Sequence, residues 1–287
     1  MTQAECSVPI RMAKDKGQMK KLAIFGIVLG VTLTGGCAGQ SLKEGSRMGE
    51  LPQIVIGSDH YPPYNYEDAN GKPTGIDVDL ATEAFRRMGD EAVFSYINWE
   101  EKKELVDSGQ IDCIWGSFSI DGRETEYRWS IPYMHSDQVV AVRKDSEIES
   151  LSDLEGKRVA VQSTTKPEEI FTSHTDERIP QVQELFSLQN RELLYPFLSK
   201  GYADAIAAHE TAIRQCMNDY DLDYRILDEP LVTVGLGVAF SRTDERGLEA
   251  ELSEQFREMQ KDGTMEAIIG AYLEQPEHYL EDEVDEK

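Results

Sequence analysis

The 287-residue chain is poor in the residues that build metal centres and disulfide scaffolds. It has four cysteines and five histidines, and the histidines are scattered without ligand spacing. No metal or cofactor is therefore expected. Basic residues are scarce beside acidic ones, 29 Lys and Arg against 54 Asp and Glu. That balance argues against nucleic acid and anionic membrane surfaces as partners. Internal repeats and low-complexity segments are lacking. Long hydrophobic runs are lacking too, with one exception from Leu22 to Gly36. It is shorter than the about twenty apolar residues of a membrane-spanning helix.

What is there begins with that exception. Lys20 and Lys21 precede the run, and small residues close it before Cys37, which is the pattern of a secretory signal. Met12 or Met19 would then be the natural start. Leu33-Thr-Gly-Gly-Cys37 resembles the lipobox of bacterial lipoproteins, with Thr34 in place of the usual aliphatic residue. The resemblance implies a signal peptide over residues 1–36, a lipid on Cys37 and a polar tether over 37–50. The protein would then be extracytoplasmic and held to the membrane through its lipid anchor only. Without residues 1–36 the chain carries 24 basic against 52 acidic residues, a net charge of −28. Much of the excess lies in residues 276–287, which read as a solvated acidic tail. Cys113 and Cys216 are expected as two buried free thiols.

From residue 53 onward short apolar runs alternate with helical patterns. Strands are expected over 53–57, 92–98, 112–118, 139–143, 158–161, 183–186, 203–208, 224–226 and 235–240. Helices are expected over 77–88, 191–200 and 248–262, each with apolar spacing of three and four and a glycine after it: Gly89, Gly201 and Gly263. Such alternation predicts α/β architecture, parallel sheets with helices on both faces.

In such sheets ligands bind beyond the carboxyl ends of strands. Here those ends carry Tyr61 and Tyr64, then Gly116-Ser117-Phe118-Ser119 with Arg123, then Gln162-Ser-Thr164-Thr165-Lys-Pro-Glu168, then His209 and Glu210. The two tyrosines, in a proline-rich loop, read as an exposed aromatic platform for a ligand. Thr165 and Glu168 have capping-box spacing, so a helix N-terminus with its donors would face the same side. Rings, hydroxyls, a guanidinium and backbone donors together suit a small zwitterion.

Six segments in order then resemble the extracellular solute-binding proteins of amino-acid ABC transporters, the polar amino-acid-binding family: "GIDVDL", "GQIDCIWGSFSIDGRE", "WSIPYM", "LSDLEGKRVAVQSTT", "KGYADAIAAHE" and "MQKDGTMEAIIGAYL". The resemblance implies a two-lobed periplasmic-binding-protein-like fold with the ligand cleft between the lobes. Residues 51–135 and 236–275 would form lobe 1, and 136–235 lobe 2. It implies that Tyr61 stacks on the ligand with Tyr64 beside it, and that Ser117 and Ser119 donate to it. Arg123 would hold its carboxylate, with Thr164 and Thr165 completing that site from lobe 2. The aspartate that ordinarily meets the ligand's ammonium falls on His209, with Glu210 next to it. If His209 is that partner, it must lose a proton before an ammonium binds, and affinity would fall with pH through an ordinary histidine pKa. Asp77 and Asp79 are expected as structural, and Trp115 and Trp129 as packing.

The function implied is non-enzymatic: a monomeric, lipid-anchored binding protein that hands an amino acid or similar small polar solute to an ABC permease and its ATPase. A secreted dehydratase-type enzyme on the same fold is the alternative, with His209 or Glu210 as its acid or base. A ligand-sensing domain is a third class.

Overall fold

A computed structural model of the chain describes residues 51–280. The expected signal peptide, the expected anchor on Cys37, the expected tether and residues 281–287 of the expected acidic tail lie outside the described residues. The chain opens with β1 (Gln53–Ser58), a small hairpin of β2 (Tyr66–Glu67) and β3 (Pro73–Thr74), and α1 (Ile76–Met88). It continues through β4 (Glu91–Tyr96), α2 (Lys102–Asp107), β5 (Cys113–Ile114) and β6 (Arg128–Trp129). The ten-residue β7 (Met134–Arg143) follows, then β8 (Arg158–Gln162), α3 (Lys166–Ser173), β9 (Glu184–Leu188) and α4 (Leu194–Ser199). After β10 (Ala205–His209), α5 (Glu210–Tyr220), β11 (Tyr224–Ile226) and β12 (Val232–Leu236), the chain ends on β13 (Ala239–Phe240), α6 (Leu248–Lys261) and α7 (Thr264–Gly270).

Apart from the β2–β3 hairpin, the described strands make two sheets. The first has the order β4-β1-β5-β13-β6, and the second β11-β7-β10-β8-β9 with β12 on β7. In the first, β1 runs parallel to both β4 and β5; in the second, β8 runs parallel to β9 and β10. The apolar face of α1 explains its place on the first sheet. Leu80, Ala81, Ala84 and Phe85 are fully buried there with Trp115 and Phe256, and a buried Leu or Phe contributes about 1.5–3 kcal/mol. Gly89, in the left-handed conformation at φ 89°, ends the helix. At its other end Gly75 has φ 124°, and a Cβ there would come within 2.3 Å of the Tyr64 carbonyl oxygen. Only glycine lets the aromatic loop pass so close to the helix start.

The second sheet is apolar on both faces: Val140, Val142 and Val159 pack on one side, Val139, Ala141 and Ala160 on the other. Two segments join the sheets. Met134, at the start of β7, belongs to the first core, whereas Val139 to Val142 belong to the second. The return strand β12 pairs with it antiparallel, Val232 opposite Gln138 through Leu236 opposite Met134. The molecule is a two-lobed α/β fold.

Several sequence expectations are corrected. The strand expected over 112–118 is limited to β5, because Ser117 turns to φ 47°, outside extended geometry. The strand expected over 235–240 divides: β12 belongs to the second sheet and β13 to the first. The helix expected over 191–200 opens as a 3-10 turn, Arg191–Leu193, before α4. Residues 276–279 form another 3-10 turn, and Tyr279 and Leu280 pack on the first core instead of trailing in solvent, since both carry apolar surface. Cys113 and Cys216 are buried free thiols. No helix among the described residues is long and apolar enough to cross a membrane.

Candidate functional site

The carboxyl ends of β1, β5, β8 and β10 converge between the lobes. The loop after β1 is the first wall. Its tyrosines are not an exposed platform: Tyr61 and Tyr64 are 2% and 0% exposed. Tyr61 Oη accepts the His209 backbone N–H at 3.2 Å, while Tyr64 Oη bonds Ser136 Oγ at 3.1 Å and Thr211 Oγ1 at 2.7 Å. Each ring therefore stitches the lobes together. The face of Tyr61 is covered by the chain's own Arg191, whose guanidinium carbon lies 3.3 Å from the ring centroid. Arg191 Nε also donates to Asp59 Oδ2 at 3.0 Å, and Gln162 Nε2 to the same oxygen at 2.9 Å.

The second wall follows β5. Ser117 holds its left-handed conformation because its N–H donates to Asp77 Oδ2 at 2.8 Å and its hydroxyl to the Gly116 carbonyl at 2.8 Å. Asp77 also accepts Tyr133 O–H at 2.8 Å. Burial pushes its carboxyl up to about 7, against the pull of those two donors. Asp79 accepts Tyr272 O–H at 2.6 Å. Both aspartates thus brace the scaffold. Arg123 packs over Phe118, 5.5 Å from the ring centroid, and reaches Glu169 of the second lobe at 3.3 Å. Its Nη1 is buried and has no partner.

The third wall is the β8–α3 turn. Thr164, at φ 58°, donates its N–H to Glu168 Oε2 at 2.6 Å and accepts Lys102 Nζ on Oγ1 at 2.7 Å. The capping box expected of Thr165 and Glu168 does not form: the Thr165 hydroxyl donates back to the Gln162 carbonyl at 2.6 Å, which leaves Glu168 to Thr164. On the fourth wall His209 ends β10, with Nδ1 2.8 Å from Ser136 Oγ and Nε2 2.9 Å from Gln138 Nε2. The amide donates to Nε2, so the ring proton is assigned to Nδ1 and donates to Ser136. Burial first, and then the charge of Arg191, lowers the His209 pKa to about 3. The imidazole is neutral.

The walls enclose a cavity of about 30 Å³, room for about two waters. An organic solute can enter only when the lobes part. Tyr61, Ser117, Ser119 and Arg123 line it from the first lobe, and Thr164, Thr165 and His209 from the second. Tyr64 lies behind Tyr61, and Glu210 turns outward to pair with Arg214. Sequence reasoning missed Trp99, Gln138, Gln162 and Arg191, which also line the cavity, and Lys102 just behind it. Gln138 and Gln162 had a signal, a single polar side chain within or ending an apolar run. A wider groove of about 530 Å³ lies on the far side of the Tyr61–Arg191 stack, lined by Tyr195, Cys216 and Tyr220. Buried polar chemistry decides between the two. Unpartnered Trp99 Nε1, Arg123 Nη1, Gln138 Oε1 and Gln162 Oε1 all belong to residues of the small cavity, and among the described residues none of the buried unpartnered polar atoms belongs to the groove. Among the described residues no cluster of His, Cys, Asp or Glu is arranged to hold a metal ion.

Two α/β lobes joined by paired strands, with a polar cavity where strand ends of both sheets meet, define a two-lobed binding protein. The chain belongs to the bacterial extracellular solute-binding proteins, family 3, whose pattern matches residues 54–275. It is 31% identical over 238 residues to the histidine-binding periplasmic protein of Salmonella typhimurium, covering 78% of this chain and 89% of that one. It is 29% identical over 260 residues to the L-cystine-binding protein TcyJ of Escherichia coli, covering 86% and 96%. Its fold is similar to that of an ABC uptake transporter substrate-binding protein from Streptococcus pneumoniae with bound histidine, at a TM-score of 0.70 and 25% identity, covering 77% of this chain and 92% of the other.

Proposed function

We propose that the protein captures an amino acid or similar small carboxylate-bearing solute between its lobes and delivers it to an ABC permease and its ATPase. The observation that carries this reading is Arg123: a residue only 9% exposed, on the cavity wall, with a buried guanidinium N–H that nothing in the described protein accepts. A planar fork so placed suits a carboxylate. The names of the relatives, which bind histidine or cystine, support a solute of this kind. Thermal-shift screening against amino acids, opines and polyamines tests it, because a solute that binds the folded state raises the melting temperature. By calorimetry Arg123→Ala should weaken the binding solute by about 2–5 kcal/mol. A loss below about tenfold would assign Arg123 to its surface pair with Glu169 instead. The proposal includes a lipid anchor on Cys37, supported by the small residues before it and the polar stretch after it. Cys37→Ser should move the protein from the membrane fraction to the medium; a variant still membrane-bound after a high-salt wash contradicts the anchor.

A further inference from the structure

The charges around the cleft do not balance. Three cationic side chains line it, Arg123, Lys166 and Arg191, and no carboxylate does. Lys166 and Arg191 are matched, by Glu169 at 2.7 Å and Asp59 at 3.0 Å. Arg123 shares that same Glu169 at 3.3 Å, and the Glu169 side chain is 42% exposed. Behind the wall stands a fourth cation. Lys102 is 5% exposed, and its Nζ bonds only neutral oxygens, Thr164 Oγ1 at 2.7 Å and the carbonyls of Trp99 and Thr164 at 3.1 and 3.5 Å. Lys102 and Arg123 flank one ring: Nζ and the guanidinium carbon each lie 5.5 Å from the Phe118 centroid. At ion-pair distance these four cations thus meet two carboxylates, with Glu124 and Glu126 acting only at longer range, and Lys102 and Arg123 bracket a cavity-lining aromatic.

Buried positive charge without a partner is costly, and it is the bound molecule that can supply the missing negative charge. A zwitterion supplies one carboxylate and adds an ammonium of its own. It would meet neutral His209 and the neutral Gln138 and Gln162 carbonyls, not a carboxylate. We infer that the solute carries two carboxylates on a short carbon chain, one held by Arg123 and the other drawn toward Lys102. The inference rests on the reading of this cleft as the solute site. The same burial, and then the charge of Arg123, lowers the Lys102 pKa to about 7, so a carboxylate beside it is what would keep it charged. The unpartnered Trp99 indole N–H adds a further neutral donor for an anion.

Calorimetry on the purified protein with L-glutamate, L-glutamine, glutarate and L-arginine separates the outcomes. L-Glutamate and L-glutamine differ by one charge at nearly constant shape, and the expected preference for L-glutamate is tenfold or more. Glutarate reports on the amine: binding as tight as L-glutamate means a plain dicarboxylate suffices, and much weaker binding means an acidic amino acid is required. Lys102→Met should cut the glutamate-to-glutamine ratio at least tenfold. Lys102→Arg, which keeps the charge, should retain most of it and guards against a variant that merely misfolds. Tight binding of L-glutamine or L-arginine with weak binding of both dicarboxylates overturns the inference and leaves the solute-binding function standing. An unchanged ratio in Lys102→Met also overturns it. Failure of all four solutes to bind overturns the inference and counts against the function it rests on.

Discussion

Two ionisable side chains of the cleft have exchanged the roles their sequence suggests. His209 invites a titration in the physiological range, yet burial and Arg191 lower its pKa to about 3, and it stays neutral from pH 5 to 8. Lys102, which carries no motif, is lowered to about 7. The charges that bear on it are those of Arg123, Asp59, Arg191 and Glu126; Trp99, Phe118 and Thr164 make its remaining contacts. In the closed form without solute Lys102 loses its proton as pH rises through about 7, and a bound carboxylate favours the protonated form. Binding then takes up a proton above pH 7. Affinity for a dicarboxylate should fall as pH rises from 7 to 9, by at most about tenfold per unit for one linked proton. Calorimetric titrations at pH 6 to 9 check this, with Lys102→Arg expected to flatten the profile. A steep loss toward pH 5 instead would return the titration to His209.

At the scale of elements, the sequence was most legible where one periodicity prevailed. The face of α1, with Leu80, Ala84 and Phe85, and the apolar runs of β1, β7, β8 and β10 could be read because each packs one layer on another. Legibility failed where tertiary contacts overrule local preference. Ser117 leaves the strand geometry of β5 because Asp77, forty residues earlier, takes its N–H. The Thr165–Glu168 pattern is an apt helix start, but the hydroxyl finds the Gln162 carbonyl and the carboxylate finds Thr164. The split between β12 and β13 reflects a change of lobe, which no local propensity encodes. The site was legible in the same uneven way. Residues following strand ends of the motifs, such as Ser117, Arg123 and Thr164, could be named in advance. Trp99 and Arg191 come from turns outside those motifs and Lys102 from the start of α2, and their places at the cavity depend on contacts between distant segments, Lys102 with Thr164 and Arg191 with Asp59.

At the scale of the whole molecule, the cleft is closed by polar contacts that cross from lobe to lobe. Asp59 meets Arg191 and Gln162, Lys102 meets Thr164, Arg123 meets Glu169, and Tyr64 meets Thr211. The paired strands β7 and β12 remain continuous between the lobes, so parting them breaks the cross-cleft contacts while the connection bends. A solute that touches both walls shifts the population back to the closed form by its differential affinity. The solute is expected to sit where strand ends of both lobes meet. Hydrogen–deuterium exchange with peptide resolution, on the purified protein with and without saturating L-glutamate or glutarate, whichever binds, tests it most directly. Residues 59–65 and 116–123 in the first lobe and 162–166 in the second should be protected together, with α6 and α7 unchanged. Protection confined to one lobe, or to the outer groove around Tyr195 and Tyr220, would contradict it.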